Sequence, residues 1–218
     1  MKRDNYMLMA LKMREQFLKY DQRAMIDKFS LKADSEYIYL NYVLRPYRIN
    51  RQTGAVQWSA DGFATVHDAG HNEVMPIYDL LCDSAPGCKL SGRFNNIRNS
   101  ARLGHTGMTS SGALYTDAAG MFDGKTELMS RACERLGGVC TPPGDVAYMM
   151  NTFDCLPVIL RFWEGDEDFG ASLSILWDEN VLDFIRFETS FYVVGHLLSR
   201  IREEMENIKK QEEQNETP

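Results

Sequence analysis

The 218-residue chain is 44% apolar and 25% charged, ordinary for a globular protein, and long enough to bury about 70–75% of its unfolded surface. Its formal net charge of −7 argues against a sequence-independent grip on nucleic acid, whose phosphates demand a basic surface. No apolar stretch approaches the roughly 20 residues that span a bilayer, and MKRDNYMLMALKMREQ carries neither a signal-peptide core nor a cleavage site. A cytoplasmic setting, with no membrane partner, is therefore expected.

In chain order, residues 4–29 read as one helix, with Tyr6, Met9, Ala10, Met13, Phe17, Tyr20 and Ala24 on a single face. From Glu36 the period changes to two, and residues 36–58 read as a small antiparallel meander. Pro46 ends or edges its first strand, and Arg51–Gly54 forms a turn. Residues 75–81 read as a short helix with Pro76 in its first turn. Residues 87–124, rich in glycine, read as a long loop of the kind that is either functional or mobile. Helix returns over 126–136, closed by Gly137 and Gly138. A strand is expected over 146–153.

The chain is organised around residues 157–205. Val158, Ile159, Leu160, Phe162 and Trp163 make a short continuous apolar run, as in a strand covered on both faces. Leu173, Ile175 and Trp177 alternate with smaller or polar neighbours in a second strand, and the seven residues 164–170 between them suit a hairpin loop. Phe191, Val194, Leu198, Ile201 and Met205 then trace the apolar face of a closing helix that Thr189 or Ser190 can cap. The tail ENIKKQEEQNETP has no apolar face and is expected to fray.

LPVILRFWEGDEDF, the SILWD strand and the terminal helix resemble the C-terminal pattern of the bacterial and archaeal domain-of-unknown-function family 3786. A weaker likeness covers residues 6–61 (with EYIYLNYVLRPYRINRQTGAV) and ELMSRACERLGG at 127–138, while residues 89–124 depart from the family pattern. Some members carry a separate cysteine-rich iron–sulfur segment and many come from anaerobes, so the resemblance implies a link to anaerobic redox or one-carbon metabolism. This chain has no such segment.

Several stretches carry candidate chemistry. The turn of Glu164, Asp166, Glu167 and Asp168 clusters carboxylates that can hold a hard cation or act as acid and base, with Trp163 beside it as a stacking surface. Carboxylates in a hairpin loop more often just face water. Gly104–Gly112 (GHTGMTSSG) can form a nest of backbone N–H donors, and Gly104, His105 and Gly107 are its candidate ligand-binding residues; a plain surface loop is the simpler reading. Ala119–Thr126 (AGMFDGKT) fits a loose phosphate-loop pattern but lacks the strand such a loop needs, so Thr126 more simply caps the next helix. His67 and His71 are spaced for one ion on a helix but have no third ligand, so no metal is assigned. His196 on the closing helix reads as a packing histidine. Five cysteines, with no CxxC pair, are expected to be reduced thiols.

The expected fold is α+β: a mixed, mainly antiparallel sheet packed by an N-terminal helix, a helix near 126–136 and a C-terminal helix. One globular domain over 1–206 precedes a disordered charged tail at 207–218. The expected function is an accessory module that binds a protein or small-molecule ligand of unknown identity. The rival is a small-molecule enzyme combining the acidic turn 164–168 with the loop 104–112. No catalytic residue and no cofactor is specified by the sequence.

Overall fold

A computed structural model of the chain describes residues 2–99 and 116–216, with side chains over 8–99 and 118–215. Gly104, His105 and Gly107 lie outside the described residues. In chain order the elements are α1 (Lys2–Phe17), α2 (Gln22–Phe29), β1 (Lys32–Ala33), β2 (Tyr37–Tyr42), β3 (Arg45–Asn50), β4 (Val56–Trp58) and β5 (His67–Asp68). There follow α3 (His71–Tyr78), β6 (Phe94–Asn95), α4 (Thr116–Gly120), α5 (Thr126–Arg135), β7 (Val139–Cys140) and β8 (Val146–Phe153). The chain continues through β9 (Leu156–Trp163), β10 (Ser172–Asp178), α6 (Val181–Phe184) and α7 (Phe187–Glu216). The fold is α+β, and every described strand pairing is antiparallel. No described helix is long and apolar enough to cross a membrane.

The chain forms two compact units, each discontinuous in sequence; β8 and α7 contribute residues to both. The first unit comprises Met1–Lys89, Thr152–Cys155 and Leu182–His196. Its strands run in the order β5–β4–β3–β2, and β2 also meets β1 and, at Tyr42, Phe153. Alternation sends Ile38, Leu40 and Tyr42 of β2, and Tyr47 and Ile49 of β3, to the buried face. Val43 and Leu44 join these strands with φ of 48° and 54°, values that a two-residue hairpin demands and that Asn-Gly normally supplies. Val43 is held there by burial and by its N–H donating to Thr152 O at 2.7 Å. Gly54 closes the next turn at φ +72°, where an added Cβ would lie 2.9 Å from Arg14 Cγ; its carbonyl accepts the Tyr78 hydroxyl at 2.6 Å.

Four local expectations are corrected in this unit. The single helix over 4–29 is two, because the Asp21 side chain accepts the N–H groups of Arg23 and Ala24 and so starts a new helix. The apolar stripe of α1 closes only at its end, where Phe17 is fully buried while Leu8, Met9 and Leu11 stay exposed. Pro46 sits inside β3 rather than ending a strand. It faces Asn41 across the ladder, and its carbonyl turns the other way to accept the Ser59 N–H, so the missing proline N–H leaves no gap toward β2. Pro76 likewise lies within α3, which begins earlier than expected at His71.

The second unit comprises Leu90–Asn151, Leu156–Val181 and Leu197–Pro218. Its strands run β7–β8–β9–β10–β6. The β9–β10 ladder pairs Trp163 with Ser172, Leu160 with Ile175 and Val158 with Trp177, the hairpin read from sequence. Val158, Ile159 and Leu160 are all buried, as a strand covered on both faces requires. Buried Asp178 draws in the incoming segment by accepting from the N–H groups of Ser91 and Gly92 at 3.0 and 2.8 Å. Residues 207–216, expected to fray, continue α7: Ile208 is fully buried and Glu212 pairs with Arg131 at 2.6 Å. One apolar residue at the right step and one ion pair extend the helix past the end of its visible stripe.

Candidate functional site

The first unit contains a cavity of about 530 Å³ that follows from a break in its sheet. Beside β2, the two-residue β1 pairs only with Ile38 and Tyr39, whereas β8 touches only Tyr42. The chain enters β1 from Ser30, a left-handed residue (φ 51°) that ends α2, and it leaves β8 through the turn at Asp154 and Cys155. The space left beside Leu40 and Asn41 is walled by Phe29, Leu31, Tyr39, Phe63 and Phe153. Besides Ser30 and the tyrosines, its polar groups are Lys32, Cys155 and the pair of Asn41 and Asp154, where Asn41 Nδ2 donates to Asp154 Oδ2 at 3.2 Å. An apolar hollow with a small number of placed polar groups is the usual form of a small-molecule site.

Tyr47 lines this cavity and also belongs to a buried polar node in the same unit. Its hydroxyl donates to Glu73 Oε1 at 2.5 Å and lies 3.3 Å from His196 Nε2. Glu73 sits in the first turn of α3, where its other oxygen accepts the Gly70 N–H, and Arg45 Nη1 stands 3.7 Å from Oε1. The Arg45 guanidinium lies over the Trp58 ring at 4.0 Å, and Trp58 stacks on His67 at 4.3 Å. On the inner side, Tyr42 stacks between Phe153 (4.4 Å) and His196 (4.3 Å). Burial, followed by the Glu73 charge, holds the Tyr47 phenol well above its ordinary range, so it stays a donor; burial does the same to Tyr42. Three segments far apart in sequence, β3, α3 and α7, thus bring an acid, a base, a phenol and a cation together.

The residues named from sequence occupy other places. Trp163 ends β9, 36% exposed, and Glu164, Asp166, Glu167 and Asp168 are exposed in the hairpin loop of the second unit. Asp166 turns its carboxylate onto its own loop, accepting from the N–H groups of Asp168 and Phe169 at 2.9 and 2.7 Å. Glu164 accepts the Gly124 N–H at 2.8 Å and donates its own N–H to Asp145; Gly165 donates to Asp123. The turn is a knot of carboxylates bound to main-chain donors. Residues 116–120 are helical and Lys125 is the residue before α5, so the stretch 119–126 does not form a phosphate-cradling loop. His67 and His71 fall on different elements, β5 and α3, and His71 packs edge-on against Tyr192. Among the described residues no three His, Cys, Asp or Glu side chains gather as a metal site would need.

All five cysteines are free thiols, and only Cys140 is exposed. Burial pushes the thiols of Cys82, Cys133 and Cys155 up from 9.0 to about 12, and raises that of Cys88. A raised thiol pKa adds no penalty below the ordinary thiol value, and costs stability only as pH climbs from there toward 12. At pH 8 the native protein should therefore show one fast thiol toward a disulfide reagent, lost in Cys140→Ser. The three strongly shifted thiols should react on the order of a thousandfold more slowly, since the thiolate is the reacting form. Fast labelling located at Cys155 by peptide mapping would contradict the burial assigned to that position in the cavity wall.

The node was not legible as a unit, because its members are 26 and 149 positions apart from Tyr47. One signal was present: Arg45 falls at an inward position of an alternating strand, and a charge there implies a buried partner. A family model described as "Domain of unknown function (DUF3786)" matches residues 21–200, from the residue that caps α2 to a point nearly halfway along α7. No curated protein and no solved structure matches the chain.

Proposed function

The chain belongs to the DUF3786 family, and we propose that it acts as a ligand-binding module, taking an apolar or aromatic small molecule into the cavity of the first unit. The observation that carries this reading is the cavity: about 530 Å³, within the roughly 300–1,000 Å³ of drug-sized sites, and walled chiefly by aromatic and aliphatic side chains. The Asn41–Asp154 pair and Lys32 supply orientation at its edge. The cytoplasm, and work beside redox or one-carbon proteins of an anaerobe, form the setting we propose with it, supported by the family resemblance and not by the geometry.

A neutral fluorescent probe, N-phenyl-1-naphthylamine, tests the cavity without recruiting charge. The wild-type protein should bind it saturably, and Cys155→Trp, which fills the hollow from its wall, should weaken binding at least tenfold, about 1.4 kcal/mol. Equal affinity in both proteins, with both folded by circular dichroism, would remove the reading. A second reading, an acid–base enzyme, is favoured by one observation: Tyr47 belongs both to the cavity wall and to the node with Glu73 and His196. Under that reading, Tyr47→Phe leaves probe affinity unchanged and abolishes turnover.

A further inference from the structure

The second unit carries a separate cleft of about 300 Å³, formed by Met121 and Lys125 on one side and by Arg202, Met205, Glu206 and Lys209 of α7 on the other. We propose that this cleft is a binding site for a compact, multiply charged phosphate anion, such as a pyrophosphate or the phosphate end of a small phosphate ester. Three cations and one carboxylate leave a local charge of +2 (3 − 1) in a chain whose formal net charge is −7.

Among the described residues none of the three cations forms an ion pair with a carboxylate. Among the described residues Lys125 donates only to the Met121 carbonyl, at 2.8 Å, and Arg202 only to the Met121 sulfur, at 3.7 Å; Lys209 has no carboxylate partner. Carboxylates are plentiful on α7, but they are engaged elsewhere. Glu203 and Glu204 pair with Arg200, at 2.8 and 3.6 Å, and Glu212 pairs with Arg131. Arg202, Met205, Glu206 and Lys209 recur at steps of three, one and three, so they share one helical face, and Met205 is buried at its centre. Met121 holds two of the three cations in place through different atoms, which lowers the ordering cost of binding.

The chemistry selects the ligand class. A concave surface of one sign concentrates the opposite charge, and a guanidinium with two ammonium groups matches phosphate oxygens, the first bidentately and the others as point charges. The volume sits at the small end of ligand sites and fits a di- or trianion better than a chain.

Calorimetric titration with inorganic pyrophosphate at about 50 mM salt provides the test. Binding should be saturable and weaken several-fold at about 200 mM salt. Lys125→Gln/Arg202→Gln should weaken it at least tenfold, Glu206→Gln should strengthen it about threefold, and Lys19→Gln, on the other unit, should leave it unchanged. Citrate, similar in charge but not in geometry, should bind at least tenfold less tightly. No binding, an affinity indifferent to the double variant in folded protein, or a weaker Glu206→Gln would overturn the site; citrate binding equally well would overturn the phosphate assignment.

Discussion

Replacing Ile159 by Asp is expected to leave no soluble, folded protein. Ile159 lies mid-strand in β9, opposite Leu176 of β10, and is buried between two other buried residues, Val158 and Leu160. A carboxylate there is cut off from water, and a buried charge that is not well paired costs several kcal/mol. Whole-protein stabilities of about 5–15 kcal/mol leave little margin for that. Ile159→Val, which removes one methylene from the same place, should remain soluble and lose only about 0.5–1.5 kcal/mol. Soluble Ile159→Asp with an unchanged melting temperature would mean that β9 is not covered on both faces.

Glu73→Leu is expected to cost about 3–5 kcal/mol and to lower the melting temperature by roughly 10 °C. The carboxylate accepts from Tyr47 and Gly70 and faces Arg45, whose side chain is only 10% exposed against 14% for Glu73. Leucine fills much the same volume yet satisfies none of the three. Glu73→Gln keeps an acceptor for Tyr47 and should recover part of the loss. Tyr47→Phe alone should cost about 1–2 kcal/mol, and adding it to Glu73→Leu should cost less than the sum, because the two groups share one hydrogen bond. Strict additivity would show that the node is not coupled.

The elements that proved legible in the sequence are those whose pattern is local. Leu173, Ile175 and Trp177 alternate, the neighbouring run from Val158 is uninterrupted, and the register between them is fixed by the loop that joins them. What could not be read depends on a competitor that a periodic pattern does not contain. The apolar repeat of residues 4–29 runs straight through Asp21, but that side chain captures two amides and breaks the helix. Ile208 is one apolar residue in a charged run, and its burial together with the Arg131–Glu212 ion pair keeps α7 helical beyond it. The cavity was hidden for a related reason: it arises where β1 and β8 stop pairing with β2, and strand ends are the least legible positions in any sequence. The acidic stretch was legible as a turn, whereas the engagement of Glu164 with Gly124 spans 40 positions.

The discontinuity of the first unit sets an order of events during synthesis. Its leading portion ends at Lys89, yet it also needs Thr152–Cys155 and the helix through His196, which lies 107 positions later (196 − 89). At about 5–20 residues per second, the ribosome needs roughly 5–20 s to deliver them. For the first 64 residues of that interval (153 − 89) β2 and β3 present Tyr42 and Tyr47 without Phe153, and for all of it without His196. The cavity wall and the polar node of this unit therefore close only after His196 has been made, long after the strands that carry Tyr42 and Tyr47.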